Sequence, residues 1–503
     1  MVAPAIKVKT AVLVLTSVLL LFTLHSKFYS PGEFSGDNLS YNDSFYTPVR
    51  FDLEQIRKRG KIIAVIDNSS TSYFVYKGEP MGYEFDMLSL FAKSEKLELE
   101  IIIAKDLNKV FEMLNKGEAD IAAANLTVTK ERTKIVSFTE PLIFTTQVLV
   151  QRKPENWKAI SYEQLEKQLI RNTVDLQEKF VCVRKGSSFY ERLKNLSDEI
   201  GGKINIVEAP GNYDTEQLIG MVASGKIDFT VADENVALIN QTYYSNIDIK
   251  TAISFPQRIA WAVRKNSDSL TFVINQWLNK VKKTGEYSYF YNKYFRNPKA
   301  AEERMESEYF SKTGGKISEY DELIRKHSLR IGWDWRLLAA LIYEESHFNP
   351  EAKSWAGAYG LMQIIPSSSA MYGIDSIAAT PAQSVKTGVD ILIRIDNYWK
   401  KHITSKEERT KFNLASYNVG LGHVIDARNL AIKYSLDPKV WEDNVEYFLE
   451  QKANPKYYTD PVVKFGYCRG YEPSSYVKKI LNRYEHYKNA IKYKVSEQIV
   501  KNN

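Results

Sequence analysis

Asp334-Trp-Arg-Leu-Leu-Ala-Ala-Leu-Ile-Tyr-Glu-Glu-Ser-His-Phe-Asn-Pro350 decides how the second half of the chain reads. Asp334 is an N-cap residue and Pro350 a stop, so the stretch predicts one helix. Residues 337–343 are apolar without a break, and a helix that is apolar all round is a buried one. Its last turn nevertheless carries Glu344 and Glu345. Glu345 follows Leu338 by seven residues, Leu341 by four and Ile342 by three, which puts its carboxyl on their face. Burial and the negative end of the helix dipole both disfavour the ionised carboxylate there. The expected outcome is an acid that holds a proton near neutral pH, the profile of a general acid. A solvated, frayed helix end is the alternative, and helix position alone does not separate the two.

The following residues do. Glu345-Ser346 is followed by Gly360-Leu-Met362-Gln363 and then by Ala415-Ser-Tyr417-Asn418-Val-Gly420. Three motifs in this order resemble the goose-lysozyme-like domain of soluble-type lytic murein transglycosylases. The resemblance implies that Glu345 is the catalytic acid/base, whereas Glu344 stands where that family often carries Gln. It also implies substrate-binding roles. Ser354 would polarise or position a sugar, Met362 and Gln363 would line the cleft beside Glu345, and Tyr417 and Asn418 would touch the reacting sugar. Near the end, Phe465-Gly-Tyr-Cys-Arg-Gly-Tyr-Glu-Pro-Ser-Ser-Tyr476-Val resembles the closing motif of a membrane-bound branch of these enzymes, with Tyr476 orienting the carboxylate.

Composition sets the bounds. The 503 residues allow about three domains or lobes at roughly 150 residues each. The net charge of +7 suits an anionic polymer or membrane surface, and a solvated lysine-rich surface explains it as well. Cys182 and Cys468 are far apart, so neither a disulfide framework nor a zinc site follows. The six histidines are scattered without metal-ligand or triad spacing. No cofactor, metal or nucleic-acid partner is expected.

Residues 1–26 carry Lys7 and Lys9 ahead of an apolar run over 11–24. The run is short against the roughly 20 residues of a membrane span and reads as an export signal. Leu24 is large for a cleavage site, so an uncleaved amino-terminal anchor is the alternative. Residues 27–52 read as a linker. From there strand and helix patterns alternate: strands over 61–66, 97–104 and 121–124, helices over 84–96 and 110–116.

Lys77-Gly-Glu-Pro-Met-Gly82-Tyr-Glu-Phe-Asp86, Lys116-Gly-Glu-Ala-Asp120 and Leu126-Thr127-Val-Thr129-Lys-Glu-Arg132 resemble extracellular solute-binding proteins of family 3, which serve polar amino-acid transport. The likeness covers roughly residues 55–296 and includes a second lobe over about 153–250. It implies a cleft in which Thr127 and Arg132 hold a ligand carboxylate and Asp233 the ammonium. Arg132 as a plain salt-bridge partner is the alternative.

The expected fold is thus an α/β two-lobed, periplasmic-binding-protein-like domain over 53–298, a linker over 299–318, and a mainly α lysozyme-like domain over 319–495 with a tail over 496–503. Within these, the sequence reads one strand over 253–264, one helix over 269–295, and a charged connection over 401–411. The expected partners are peptidoglycan glycan strands, an amino-acid or muropeptide ligand of the first domain, and a membrane surface. The expected place is the periplasm, peripheral to the outer membrane, or the inner membrane if the apolar run is retained. A lysozyme-type hydrolase and a non-enzymatic wall sensor are the competing functions.

Overall fold

The structure, a computed structural model, describes residues 47–104, 106–210, 213–375, 377 and 379–491. The expected export signal, the first part of the linker after it and the carboxy-terminal tail lie outside the described residues.

Lys61–Ile66 is the second strand of a five-stranded sheet, between Glu98–Ile103 and Ile121–Ala123, with both pairings parallel. Ala262–Arg264 and Val136–Phe138 complete the sheet antiparallel. Ile62, Ala64, Val65 and Ile66 are fully buried. Both faces of the sheet are covered: Ala64 and Ile66 pack into one apolar cluster, Val65 into another. That explains a near-continuous apolar strand where a one-sided sheet would alternate. Helix Leu107–Lys116 is capped by the Asp106 carboxylate, which accepts from Asn108 N, and ends at Gly117 in the left-handed region (φ 78°).

The second lobe holds its own five-stranded sheet, in the order Asn205–Ala209, Phe180–Arg184, Phe229–Asp233, Gln147–Arg152, Ile247–Ala252. Gln147–Arg152 belongs to it, so this lobe begins before the position near 153 read from sequence. Ile143–Thr145 and Gln257–Ile259 pair antiparallel where the chain passes between the lobes. The expected single strand over 253–264 is therefore two short ones, one in this ribbon and one in the first sheet. The expected helix over 269–295 is Asp268–Val281 and Gly285–Phe295, broken where Thr284 turns extended ahead of Gly285.

The stretch expected as a linker is structured. Pro298–Glu306 is a helix, with Pro298 in its first turn and Asn297 accepting from Ala300 N. After it the chain adds to the hairpin of Phe74–Tyr76 and Glu79–Met81: Ser311 N donates to Val75 O (2.9 Å) and Lys77 N to Tyr309 O (3.2 Å).

From Asp321 onward the chain is helical around one apolar cluster. Trp335–Ser346 runs through it, with Leu338 to Ile342 fully buried. Pro381–Trp399, Lys406–Val419, Leu421–Lys433 and Tyr471–Ala490 surround it. Much of the expected charged connection is the start of Lys406–Val419, which Ser405 caps by accepting from Glu408 N. Lys, Glu and Arg are good helix formers, and here they occupy a largely solvated first turn.

The hairpin joins the two halves. Val75 is buried in the helical cluster. Gly78 O accepts from Arg483 Nη1 and Tyr487 Oη, both at 2.9 Å, and Tyr343 Oη donates to Glu79 Oε1 (2.5 Å).

Candidate active site

The helix Trp335–Ser346 ends at His347 in the left-handed region, so Glu345 stands in its last turn, half-buried. Burial pushes the Glu345 carboxyl up to about 7, and nearby Glu344 adds to the rise. The opposing influence is Tyr476, whose hydroxyl donates to Glu345 Oε1 from the helix Tyr471–Ala490. Glu344 takes a different direction: it pairs with Lys479 (3.1 Å) and lines a groove between the helical half and strand Glu98–Ile103.

Tyr417 is the third member. Its hydroxyl donates to Met362 O (2.7 Å), and burial together with the Glu345 charge raises its own pKa well above normal. Glu345, Tyr417 and Tyr476 therefore meet although three separate helices carry them. Asn418 is exposed beside Tyr417.

The other expected residues are placed as supports. Met362 is fully buried, and a Cβ on Gly388 would lie 2.3 Å from its Sδ. Its side chain is core packing rather than cleft lining, and its carbonyl is the part that reaches Tyr417. Gln363 takes a left-handed φ of 45° and its amide donates to Ala352 O (2.8 Å) and Gly360 O (2.9 Å), bracing the loop. Ser354 Oγ accepts from Ala358 N (3.0 Å) within the same loop. Sequence reading gave Ser346 no role of its own. Its hydroxyl donates to Leu361 O (2.8 Å) and so ties this loop to the end of the Glu345 helix. The small residue beside Glu345 was the available signal.

In the two-lobed half, Thr127, Arg132 and Asp233 line one cavity of about 40 Å³. Ligand pockets run to about 300–1,000 Å³, so the lobes are closed upon themselves. Arg132 donates to Thr127 O (2.9 Å) and across the cleft to Gly186 O (3.1 Å). Asn125 Nδ2 donates to Asp233 Oδ2 (2.7 Å), while burial pushes the Asp233 carboxyl up to about 7. Further residues, unassigned from sequence, close the cleft. Arg184 donates to both oxygens of Asp67 (2.9 and 3.0 Å), and Ser70 N and Oγ donate to Glu216. Each is ordinary in its local sequence, and only the facing of two sheets brings them together.

Two family models cover these halves: bacterial extracellular solute-binding proteins, family 3, over residues 62–297, and the transglycosylase SLT domain over residues 322–438. A solute-binding fold joined to an SLT domain defines the class. The membrane-bound lytic murein transglycosylase F of Desulfosudis oleivorans is 33% identical over 433 residues, 86% of this chain and 91% of the relative. That of Aliivibrio fischeri is 30% identical over 434 residues, 86% of this chain and 84% of the relative. The chain belongs to the family of membrane-bound lytic murein transglycosylase F. Among solved structures, an ancestral arginine-binding protein bound to arginine is 26% identical, with TM-score 0.39, covering 47% of this chain and 99% of its own.

Proposed function

We propose that this chain cleaves peptidoglycan as a lytic murein transglycosylase, a carbon–oxygen lyase, with Glu345 as its lone acid/base. The observation that carries the reading is a half-buried carboxyl poised near pH 7 and held by Tyr476 at the end of a buried helix. Protonated Glu345 gives its proton to the oxygen of the N-acetylmuramyl–N-acetylglucosamine β-1,4 bond, and the bond from C1 to that oxygen breaks. The resulting carboxylate takes the proton of the muramyl 6-hydroxyl, whose oxygen closes onto C1. The products are a 1,6-anhydromuramyl end and a free N-acetylglucosamine 4-hydroxyl, and no water enters. One carboxylate suffices because the substrate supplies its own nucleophile, unlike the paired carboxylates of most glycosidases. Glu344, engaged with Lys479, does not compete for the role. Ser354, Gln363, Tyr417 and Asn418 shape the sugar site in this reading, and Met362 acts through its carbonyl.

The two-lobed domain, placed at 53–298, regulates the catalytic domain, placed at 319–495, by binding an amino acid or wall peptide through Thr127, Arg132 and Asp233. Support comes from the hairpin, which leaves the lobe carrying Thr127 and packs on Tyr343, two residues from Glu345. No helix among the described residues is long and apolar enough to cross a membrane. The relatives are named membrane-bound, which favours a periplasmic enzyme associated with a membrane, peripheral to the outer membrane or, if the apolar run over 11–24 is retained, anchored in the inner one.

The test is mass spectrometry of purified peptidoglycan digested by wild type and by Glu345→Gln. Anhydromuramyl products from wild type alone are expected. Reducing-end products would make the enzyme a hydrolase, and no cleavage by folded protein would make it a sensor. Regulation is tested on the same digest: a rate unchanged by every amino acid and muropeptide tried would remove it.

A further inference from the structure

Lys312 lies just after the residues that extend the hairpin, outside both lobes in sequence, yet its ammonium joins them. Nζ donates to Asn68 O of the first lobe (2.7 Å) and to Asp214 Oδ2 of the second (2.8 Å). Asp214 caps helix Thr215–Ala223, and Glu216 stands in the first turn of that helix. Asp67, Asp214 and Glu216 all line one end of the cavity, and the ammonium bonds to Asp214 there; burial works against its charge, and the three carboxylates favour it. Asp67 already has a cation, because Arg184 donates to both its oxygens. Lys312 is the cation that faces the other two. Elsewhere in the same cavity Asp233, 3% exposed, has one oxygen on Asn125, and its Oδ1 has no hydrogen-bond partner among the described residues.

We propose that the cleft takes an amino acid whose side chain ends in a cation, and that Lys312 is a tethered occupant of the subsite for that cation. The ligand ammonium goes to Asp233 Oδ1, and its distal guanidinium or ammonium takes the place of Lys312 between Asp214 and Glu216. An apolar or acidic side chain reaching that end would displace Lys312 and leave two half-buried carboxylates without a counter-charge, which is unfavourable. The cavity of about 40 Å³ admits no amino acid as it stands, so binding requires the lobes to part and Lys312 to withdraw. A tethered competitor scales the apparent affinity by the fraction of time it leaves the site free, so a site occupied about nine-tenths of the time binds about tenfold more weakly. The inference rests on reading the cleft as an amino-acid site and adds the ligand class.

Isothermal titration of the full chain with L-arginine, L-lysine, L-leucine and L-glutamate tests it, on wild type, Lys312→Met and Lys312→Met combined with Asp214→Asn. Asparagine keeps the helix cap, so the added substitution removes charge and little else. L-Arginine or L-lysine is expected to bind Lys312→Met at least about tenfold more tightly than wild type, to lose at least about tenfold of that affinity when Asp214→Asn is added to Lys312→Met, and to outcompete the other two. Equal affinity of wild type and Lys312→Met for the basic amino acids, no binding of them to either, or equal binding of L-leucine would overturn it. If Lys312→Met does not fold, Lys312→Gln takes its place, and basic amino-acid affinity equal to that of wild type overturns it. Peptidoglycan digestion by the same preparations keeps the two readings apart: anhydromuramyl products without basic-ligand binding sink only this inference.

Discussion

At the scale of single residues, burial is the main cause of the Glu345 shift, and Tyr476 restrains it. The sign follows from charge. The Tyr476 hydroxyl donates to the carboxylate and favours the ionised form, so removing it raises the pKa further. Tyr476→Phe is therefore expected to move the alkaline limb of the kcat/KM profile upward from about pH 7, while kcat falls about tenfold as the carboxyl loses its orientation. A limb that stays or moves down would contradict this. Since the native pKa lies above the ordinary value of 4.5, ionising Glu345 costs the fold stability, and the loss accrues as pH rises from about 4.5 to about 7. Glu345→Gln is expected to lose about 10²–10⁴-fold in rate, and to melt at pH 8 no lower than wild type. The face on which Glu345 lies could be read from its spacing to Leu338, Leu341 and Ile342, because one helix defines its surroundings, but the motifs that follow, and not the spacing, separate an acid there from a solvated helix end. Its bond to Tyr476 spans 131 positions and follows from no local pattern; only the family resemblance pointed to it. Met362 marks the limit of motif reading, since a short motif names the loop but does not say which side chain turns inward.

At the scale of elements, the hairpin Phe74–Met81 carries the connection between the halves. Gly78 has φ 82°, and a Cβ there would lie 2.8 Å from both Phe348 Cε2 and Tyr343 Cδ2. Gly78→Ala therefore meets backbone strain and overpacking together, each of about 1–3 kcal/mol. The expected result is a lower melting temperature and slower glycan cleavage, checked by calorimetry and product release; wild-type values for both would mean that the hairpin does not hold the Tyr343 turn. The turn chemistry of Lys77-Gly78 is visible in sequence, but its docking against Tyr343, Arg483 and Tyr487 is not, because those partners lie more than 260 positions away. Continuous apolar runs such as residues 337–343 gave their elements clearly. Charged stretches such as 298–306 and 406–411 look like connections in sequence because their helices expose polar faces, and the signal lies in their caps, Asn297 and Ser405.

At the scale of the whole molecule, the two lobes are shut by their own side chains. Arg184 and Asp67 are both nearly buried, so Arg184→Met leaves a buried carboxylate alone, and breaking such a pair costs about 3–5 kcal/mol. The closed state is expected to lose population, seen as a larger radius of gyration in small-angle scattering; an unchanged radius would mean that other contacts suffice. The order of two resembled domains was legible from motifs alone. Closure was not, because it depends on how two sheets face each other. The central claim is that Glu345 works with the substrate's own hydroxyl and without water. Digesting peptidoglycan in ¹⁸O-labelled water tests it most directly. The account predicts cleaved muramyl ends with no ¹⁸O at C1 and a mass one water below the hydrolysed product. Incorporation of ¹⁸O at C1 in the primary products would contradict it.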